Sequence, residues 1–325
     1  MNPKNTFFSC DWGTSAFRLR LVERATLKVL AETHSQEGNA ATAERWRQAR
    51  QPPAQRVGFY LAIVQDHLRK LEKAVKTSLD DVPVVISGMA SSTIGMAELP
   101  YKALPFATDG SDLRTKTIAP TAAFKHAALL ISGVKSADDV MRGEETQLVG
   151  CGFENTPEEQ LFLHPGTHAK HVRVQHGQAI ALKTYMTGEF FSLLSTKGIL
   201  AASVEEGGQL AEGNNREWFE KGVRASGQAN LLHNAFLVRT NGLFKKADKR
   251  ENYFYLSGLL IGSECRELLP ALPARITLAG EPALLALYEA ALHALGIAGK
   301  CPVHTKSAVE VTLTGQRAVL AAGPR

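Results

Sequence analysis

Along the first part of the chain the hydrophobic positions form three short clusters separated by turn residues. This pattern predicts three strands: Thr6–Asp11 runs into a glycine turn, Ala16–Val22 alternates, and Leu27–Thr33 follows another turn. Residues 39–56 are polar and proline-bearing and read as a loop or lid. Val57, Leu61, Val64, Leu68, Leu71 and Val75 then recur at helical spacing on one face. Val82–Ser87 is a continuous apolar strand suited to the centre of a sheet, and it ends at Gly88 in a loop of small and hydroxyl residues. A proline-rich passage leads to a strand-like segment ending in Met141-Arg142-Gly143, and Glu144–Phe153 reads as a helix connecting to the second half.

The second half begins with strands again: Gln160–His164, Ala169–Gln175 and Ala179–Tyr185. Helices are then expected at about 187–197, 215–238 (broken), 252–268, 282–295 and 307–322, with a short strand Arg275–Leu278 before the fourth. The last helix opens Ser307-Ala-Val-Glu310, a capping box. A strand–turn–strand–turn–strand opening thus occurs twice, followed each time by helices. A duplicated α/β architecture with a cleft between lobes follows. The expected divisions are 1–150, 151–306 and 307–325, the last a helix packing back on the first lobe.

Composition narrows the function classes. The 325 residues are 44% hydrophobic and 21% charged, enough for two cores and unlike a disordered chain. The formal charge of +5 comes from dispersed Lys and Arg, with no basic stripe of the kind a nucleic-acid binder needs. The four cysteines are far apart and form no Cys-x-x-Cys pair. No run approaches the ~20 apolar residues that span a bilayer, so a cytoplasmic location with no membrane partner is expected.

Two turns carry the sharpest chemistry. Asp11-Trp12-Gly13-Thr14-Ser15 lies between the first two strands. Its glycine removes a Cβ from the path of a phosphate, and backbone N–H groups with the Thr14 and Ser15 hydroxyls supply donors. Asp11 is placed to hold Mg²⁺ through water; the plain alternative is an ordinary hairpin. Pro165-Gly166-Thr167-His168-Ala169-Lys170 occupies the same position in the second half. Two such turns gripping phosphates from both sides are far more specific than either alone. Lys170 adds a point charge or is a solvated lysine; His168 is a phosphate contact or a packed turn residue. A zinc site of His164, His168 and His171 is disfavoured, because His168 and His171 point to opposite faces of an extended strand. Ala279-Gly280, after the short strand, offers small residues against which adenosine could lie.

Arg142-Gly143-Glu144-Glu145 supplies adjacent carboxylates at a helix start, where the dipole favours their charged forms. Such a carboxylate could accept a hydroxyl proton during phosphoryl transfer. Arg142 suits a substrate carboxylate or the transferring phosphoryl group. Arg18 and the loop Ser91-Ser92-Thr93 are further acceptor candidates. Thr187 reads as an N-cap of the helix carrying Glu189, a segment that approaches the phosphates or the acceptor.

These segments, with Gly88-Met89, Val140–Leu148 (Val-Met-Arg-Gly-Glu-Glu-Thr-Gln-Leu), Met186-Thr187-Gly188-Glu189 and Leu256–Glu264 (Leu-Ser-Gly-Leu-Leu-Ile-Gly-Ser-Glu), together resemble the 2-dehydro-3-deoxygalactonokinase family. The matches run in order to about residue 285. The resemblance implies the two-lobed actin-like ATPase (ribonuclease H-like) fold, with duplicated mixed sheets and an interdomain cleft. It implies ATP- and Mg²⁺-dependent phosphorylation of the C6 hydroxyl of 2-dehydro-3-deoxy-D-galactonate in galactonate breakdown. It places Asp11, Gly13 and Thr14 in the first phosphate motif, Gly166, Thr167 and His168 in the second, and Ala279 and Gly280 in the adenosine motif. Glu145, alternatively Glu144, resembles the acceptor-activating carboxylate. A homodimer is a reasonable assembly. A sugar-acid sensor without turnover and a nucleotide hydrolase are the competing readings.

Overall fold

Phe7–Cys10 is buried at every position, Ser9 included, because its strand lies in the middle of a sheet. The computed structural model describes residues 3–323. The chain divides into two units: Met1–Asn155 with His176–Leu182 and Ala308–Arg325, and Thr156–Gln175 with Lys183–Ser307. The expected divisions at 150/151 and 306/307 compare with junctions at 155/156 and 307/308. Residues 1–2 and 324–325 of the expected end segments lie outside the described residues.

The first unit runs β1 (Thr6–Trp12), β2 (Phe17–Glu23), β3 (Val29–Ser35), α1 (Asn39–Ala49), α2 (Arg56–Val75), β4 (Val84–Gly88), β5 (Lys102–Ala103), β6 (Phe106–Ala107), β7 (Thr115–Ile118), β8 (Ala128–Ile131), β9 (Val134–Lys135), β10 (Val140–Met141) and α3 (Glu144–Cys151). Its main sheet has the order β3-β2-β1-β4-β8-β7. β1 pairs antiparallel with β2 and parallel with β4, which is parallel to β8. The α2 stripe read from sequence buries Leu61, Val64, Leu68 and Leu71, joined by Tyr60 and Ile63, in one core with the sheet.

The second unit contains β11 (Gln160–His164), β12 (Ala169–Gln175), the last residues of β13 (Gln178–Tyr185, of which 178–182 fall in the first unit), α4 (Thr187–Thr196), α5 (Asn215–Ala225), α6 (Leu231–Leu243), α7 (Lys249–Cys265), β14 (Arg275–Gly280), α8 (Pro282–Ala294) and β15 (Val303–Ser307). The strand order β15-β14-β11-β12-β13 repeats β8-β4-β1-β2-β3. The senses repeat too: β11 is antiparallel to β12 and parallel to β14, which is parallel to β15. Gly258 of α7 and Gly222 of α5 each leave no room for a Cβ against the other helix's backbone, so these helices touch backbone to backbone. The last helix, α9 (Ala308–Ala322), belongs to the first unit. There Gly315 meets the Thr146 carbonyl of α3, and Gln316 Nε2 donates to Cys10 O at 3.0 Å and Ser87 Oγ at 2.8 Å.

The main departure from the sequence reading is α1, where a loop or lid was expected. Its first turn buries Asn39, Thr42 and Ala43 rather than an apolar stripe, so hydrophobic periodicity could not reveal it. The third strand starts at Val29 instead of Leu27, because Leu27 adopts φ 59° in the preceding turn. Strands β7, β8 and β15 were not anticipated from the sequence.

Candidate functional site

In the first unit the turn after β1 is held by its carbonyl groups. Asn39 donates its backbone N–H to Gly13 O at 2.9 Å, and its side-chain Nδ2 to Trp12 O at 2.9 Å and Gly13 O at 3.2 Å. Ala40 N–H donates to Thr14 O at 3.0 Å. Thr14 and Ser15 are exposed. A Cβ on Gly13 would meet nothing nearer than Ala16 O at 3.6 Å, an ordinary contact. The fold therefore does not require this glycine. Asp11 is partly exposed and its Oδ2 lies 3.2 Å from Nη1 of Arg18, so Arg18, an acceptor candidate by sequence, is the ion-pair partner of the magnesium candidate.

Three motif segments converge at the carboxyl ends of β1 and β4, the edge where open parallel sheets place their ligands. Gly88 has φ 90°, and a Cβ there would sit 2.7 Å from Trp12 O. Gly143, with φ 110°, would direct a Cβ to within 3.3 Å of Gly88 Cα. Backbone contact alone thus packs Trp12-Gly13, Gly88-Met89 and Gly143-Glu144 together. Arg142 reaches the loop after β4: its Nη1 donates to Ser91 O at 2.7 Å and to Ser91 Oγ at 2.5 Å, and its guanidinium lies 4.2 Å from the centroid of the Tyr101 ring.

The adjacent glutamates differ sharply. Glu145 is fully buried; its Oε2 accepts from Gly143 N–H at 2.7 Å and its Oε1 from Thr146 Oγ1 at 3.0 Å. Burial first, and the Glu144 charge second, push its carboxyl up to about 7. Glu144 is half-buried and its Oε2 accepts from Arg142 N–H at 2.9 Å. Ser91 and Ser92, expected at the acceptor, are buried. The Ser91 hydroxyl faces Arg142, and Ser92 Oγ donates to Met89 O at 2.7 Å, because the loop satisfies its own polar groups. Only Thr93 of that trio is exposed.

The second unit repeats the arrangement. A Cβ on Gly166 would find nothing closer than His164 Nε2 at 4.0 Å, so this glycine too is not demanded by packing. Carbonyls of the turn are again held: Glu189 N–H donates to Thr167 O at 3.0 Å and Lys170 Nζ to His168 O at 2.8 Å. Lys170 is 4% exposed, so it is neither solvated nor a bare point charge as expected; a buried ammonium must be bonded, and this one braces the turn. His168 Nε2 faces Glu189 Oε2 at 2.5 Å. Thr187 is the first residue of α4 and not its cap, since Met186 precedes the helix; its hydroxyl donates to the Glu264 carboxylate.

Ala279 and Gly280 are buried at the end of β14. Beside them a cavity of about 180 Å³ opens between α4, α7 and α8, lined by Gly166, Gly188, Phe191, Tyr253, Leu284 and Leu287 among others. Among the described residues no group of three or more His, Cys, Asp or Glu could hold a metal ion. Asn39 and Tyr101 escaped the sequence reading, and Glu264 entered it only as the last residue of the Leu256–Glu264 segment. Asn39 carried a readable sign, a Gly-Asn pair before a run of helix-favouring residues.

Duplicated sheets of this order, each with a glycine turn at the end of its first strand, are those of the actin-like ATPase fold. The sequence profile of the 2-keto-3-deoxy-galactonokinase family matches residues 11–317, and the chain belongs to that family. As a member of a kinase family, it uses ATP. A candidate 2-dehydro-3-deoxygalactonokinase of Rhizobium meliloti, DgoK1, is 30% identical over 308 residues, covering 91% of this chain and 92% of that relative. The 2-dehydro-3-deoxygalactonokinase of Escherichia coli K12 is 31% identical over 225 residues, 67% of this chain and 72% of its own. The crystal structure of a candidate 2-dehydro-3-deoxygalactonokinase from Sinorhizobium meliloti is 28% identical and superposes with a TM-score of 0.78 over 98% of this chain and 96% of that one.

Proposed function

We propose that this protein transfers the terminal phosphoryl group of ATP to the C6 hydroxyl of 2-dehydro-3-deoxy-D-galactonate, in the cytoplasm, as a step of galactonate breakdown. The observation that carries the reading is the pair of glycines, Gly13 and Gly166. Both stand at equivalent sheet positions, and neither is required by its surroundings. The carbonyls of these turns are held by Asn39, Ala40, Glu189 and Lys170, and Gly13 N–H closes its own turn on Ala16 O at 2.9 Å, so the donors offered to phosphate oxygens are the N–H groups of the residues that follow each glycine. The cavity over α8 takes the adenosine, next to Ala279-Gly280 rather than on them.

Magnesium would arrive with the nucleotide and neutralise phosphate charge. Asp11 fits it as one partly exposed carboxylate acting through water, since this ion keeps most of its own shell. Glu144 is the acceptor-activating base, because it is accessible where Glu145 is sealed and doubly bonded. It takes the C6 hydroxyl proton as that oxygen forms a bond to the γ-phosphorus. The bond from phosphorus to the bridging oxygen breaks and ADP leaves. Arg142, tied to the loop after β4, presents its remaining donors to the substrate carboxylate.

A coupled ADP-release assay across 2-keto-3-deoxy sugar acids tests this. Release should require a sugar acid and magnesium, and Glu144→Gln should lower kcat by roughly 10²–10⁴-fold, with Glu145→Gln far milder. Release independent of any sugar acid would mean a hydrolase, and binding without release a sensor.

We also propose a homodimer through α4 and α6. Leu232 is 80% exposed, Phe244 65% and Ile199 60%, and Phe190, Leu193, Phe236 and Leu243 are exposed on the same two helices. At roughly 200 Å² per large side chain, the uncovered apolar area approaches the about 800 Å² per partner of a standard interface. Sedimentation of the protein with Leu232→Glu and Phe236→Glu should give a monomer where the parent gives a dimer; a monomeric parent contradicts the proposal.

A further inference from the structure

Glu264, near the end of α7, is 3% exposed and carries no role in the reading above. Its Oε1 lies 2.9 Å from Nε2 of His171 on β12, and its Oε2 accepts from the Tyr288 hydroxyl of α8 at 2.8 Å and from Thr187 Oγ1 of α4. Tyr185 packs against the His171 ring, with centroids 4.6 Å apart. Burial and this carboxylate push the Tyr288 phenol well above its ordinary range, which keeps it a donor.

A buried carboxylate is costly unless fully hydrogen-bonded, and a well-packed apolar residue often serves stability as well or better. Helix packing accounts for Gly258 of the Leu256–Glu264 segment, through its contact with α5. It does not account for an acid six residues later that joins four elements.

The connection to Thr187 supplies a reason. Thr187 starts α4, and the next two residues touch the second glycine turn. Gly188 packs so closely on Gly166 O that no Cβ fits, Glu189 N–H donates to Thr167 O, and the Glu189 carboxylate meets His168. A rigid chain of contacts therefore leads from the Glu264 carboxylate through Thr187 to the backbone of Gly166–His168.

We propose that Glu264 is a positioning residue for nucleotide binding: through Thr187 it fixes the first turn of α4, and so the placement of the Gly166–His168 turn against the ATP phosphates. This rests on the reading of that turn as a phosphate-binding element. In that reading the acceptor contacts are Glu144 and Arg142, on other elements, and the Thr187–Glu189 segment serves the phosphates rather than the acceptor, so the effect falls on ATP and not on the sugar acid.

The test combines ADP affinity by titration calorimetry with separate KM values for ATP and sugar acid. Glu264→Gln and Thr187→Val should each weaken ADP binding and raise KM for ATP about tenfold, the scale of one hydrogen bond to a charged group. KM for the sugar acid should not move. The double variant should be no worse than the poorer single, and Thr187→Ser should restore the affinity lost in Thr187→Val. Additive losses, a parallel rise in both KM values, or an unchanged KM for ATP in folded Glu264→Gln would overturn the proposal. Should Glu264→Gln not fold, His171→Gln decides: it loosens the same carboxylate from outside the cavity and should weaken ADP binding, and an unchanged ADP affinity would overturn the proposal. A parent protein that binds no ADP would instead remove the nucleotide reading of the turn itself.

Discussion

Replacing Glu145 by glutamine should change how stability depends on pH. The carboxyl is completely buried and titrates near 7, against an ordinary value of 4.5. The native state therefore holds this proton more tightly than the unfolded chain does. Between about pH 4.5 and 7 the unfolded state binds fewer protons, so stability falls as pH rises, and the loss is complete above 7. A gap of about 2.5 pH units at about 1.4 kcal/mol each gives about 3.5 kcal/mol in all, about 3 of it between pH 4.5 and 8. Glutamine carries no charge at any of these pH values, and its amide oxygen can still accept from Gly143 N–H. The assay is denaturant unfolding of parent and Glu145→Gln from pH 4.5 to 8, without nucleotide. The variant should gain on the parent by up to about 3 kcal/mol across that range, whatever constant offset the lost Thr146 bond introduces. A stability difference that stays flat with pH would refute the argument, because it would mean that the buried carboxyl titrates as it does in the unfolded chain.

Gly13→Ala and Gly166→Ala should leave the melting temperature nearly unchanged, because each new methyl group meets only ordinary contacts at 3.6 and 4.0 Å. Both should nonetheless raise KM for ATP, and a drop in stability with normal kinetics would reverse the assignment. Gly88→Ala should do the opposite and destabilise the fold, since it forces a Cβ into φ 90° and to 2.7 Å from Trp12 O; thermal unfolding reads this directly. Asn39→Ala removes two side-chain donors from the first turn and should cost about 1–3 kcal/mol, with weaker ATP binding measured by calorimetry.

The sequence exposed the doubled strand–turn–strand openings because strand alternation and glycine turns are local signals. The boundaries of β11 and β12 are those read from periodicity. It did not expose α1, whose buried face is Asn39, Thr42 and Ala43, since polar residues buried by tertiary contacts leave no hydrophobic period. The motif residues were legible as types, but not in how they bond. Nothing local says that Lys170 turns inward to His168 O, that Arg142 holds Ser91, or that Thr187 donates to an acid 77 residues away. The choice between Glu144 and Glu145 had the same obstacle. Neighbours on a helix differ by about 100° in direction, and only the packing around Gly143 and Thr146 shows which of them is sealed.

Phosphorus NMR of the product formed from ATP and 2-dehydro-3-deoxy-D-galactonate tests the central claim most directly. Transfer to the C6 hydroxyl predicts a new phosphomonoester resonance split into a triplet by the two C6 protons, appearing as ADP accumulates. A doublet from a secondary alcohol, or inorganic phosphate alone, would contradict it.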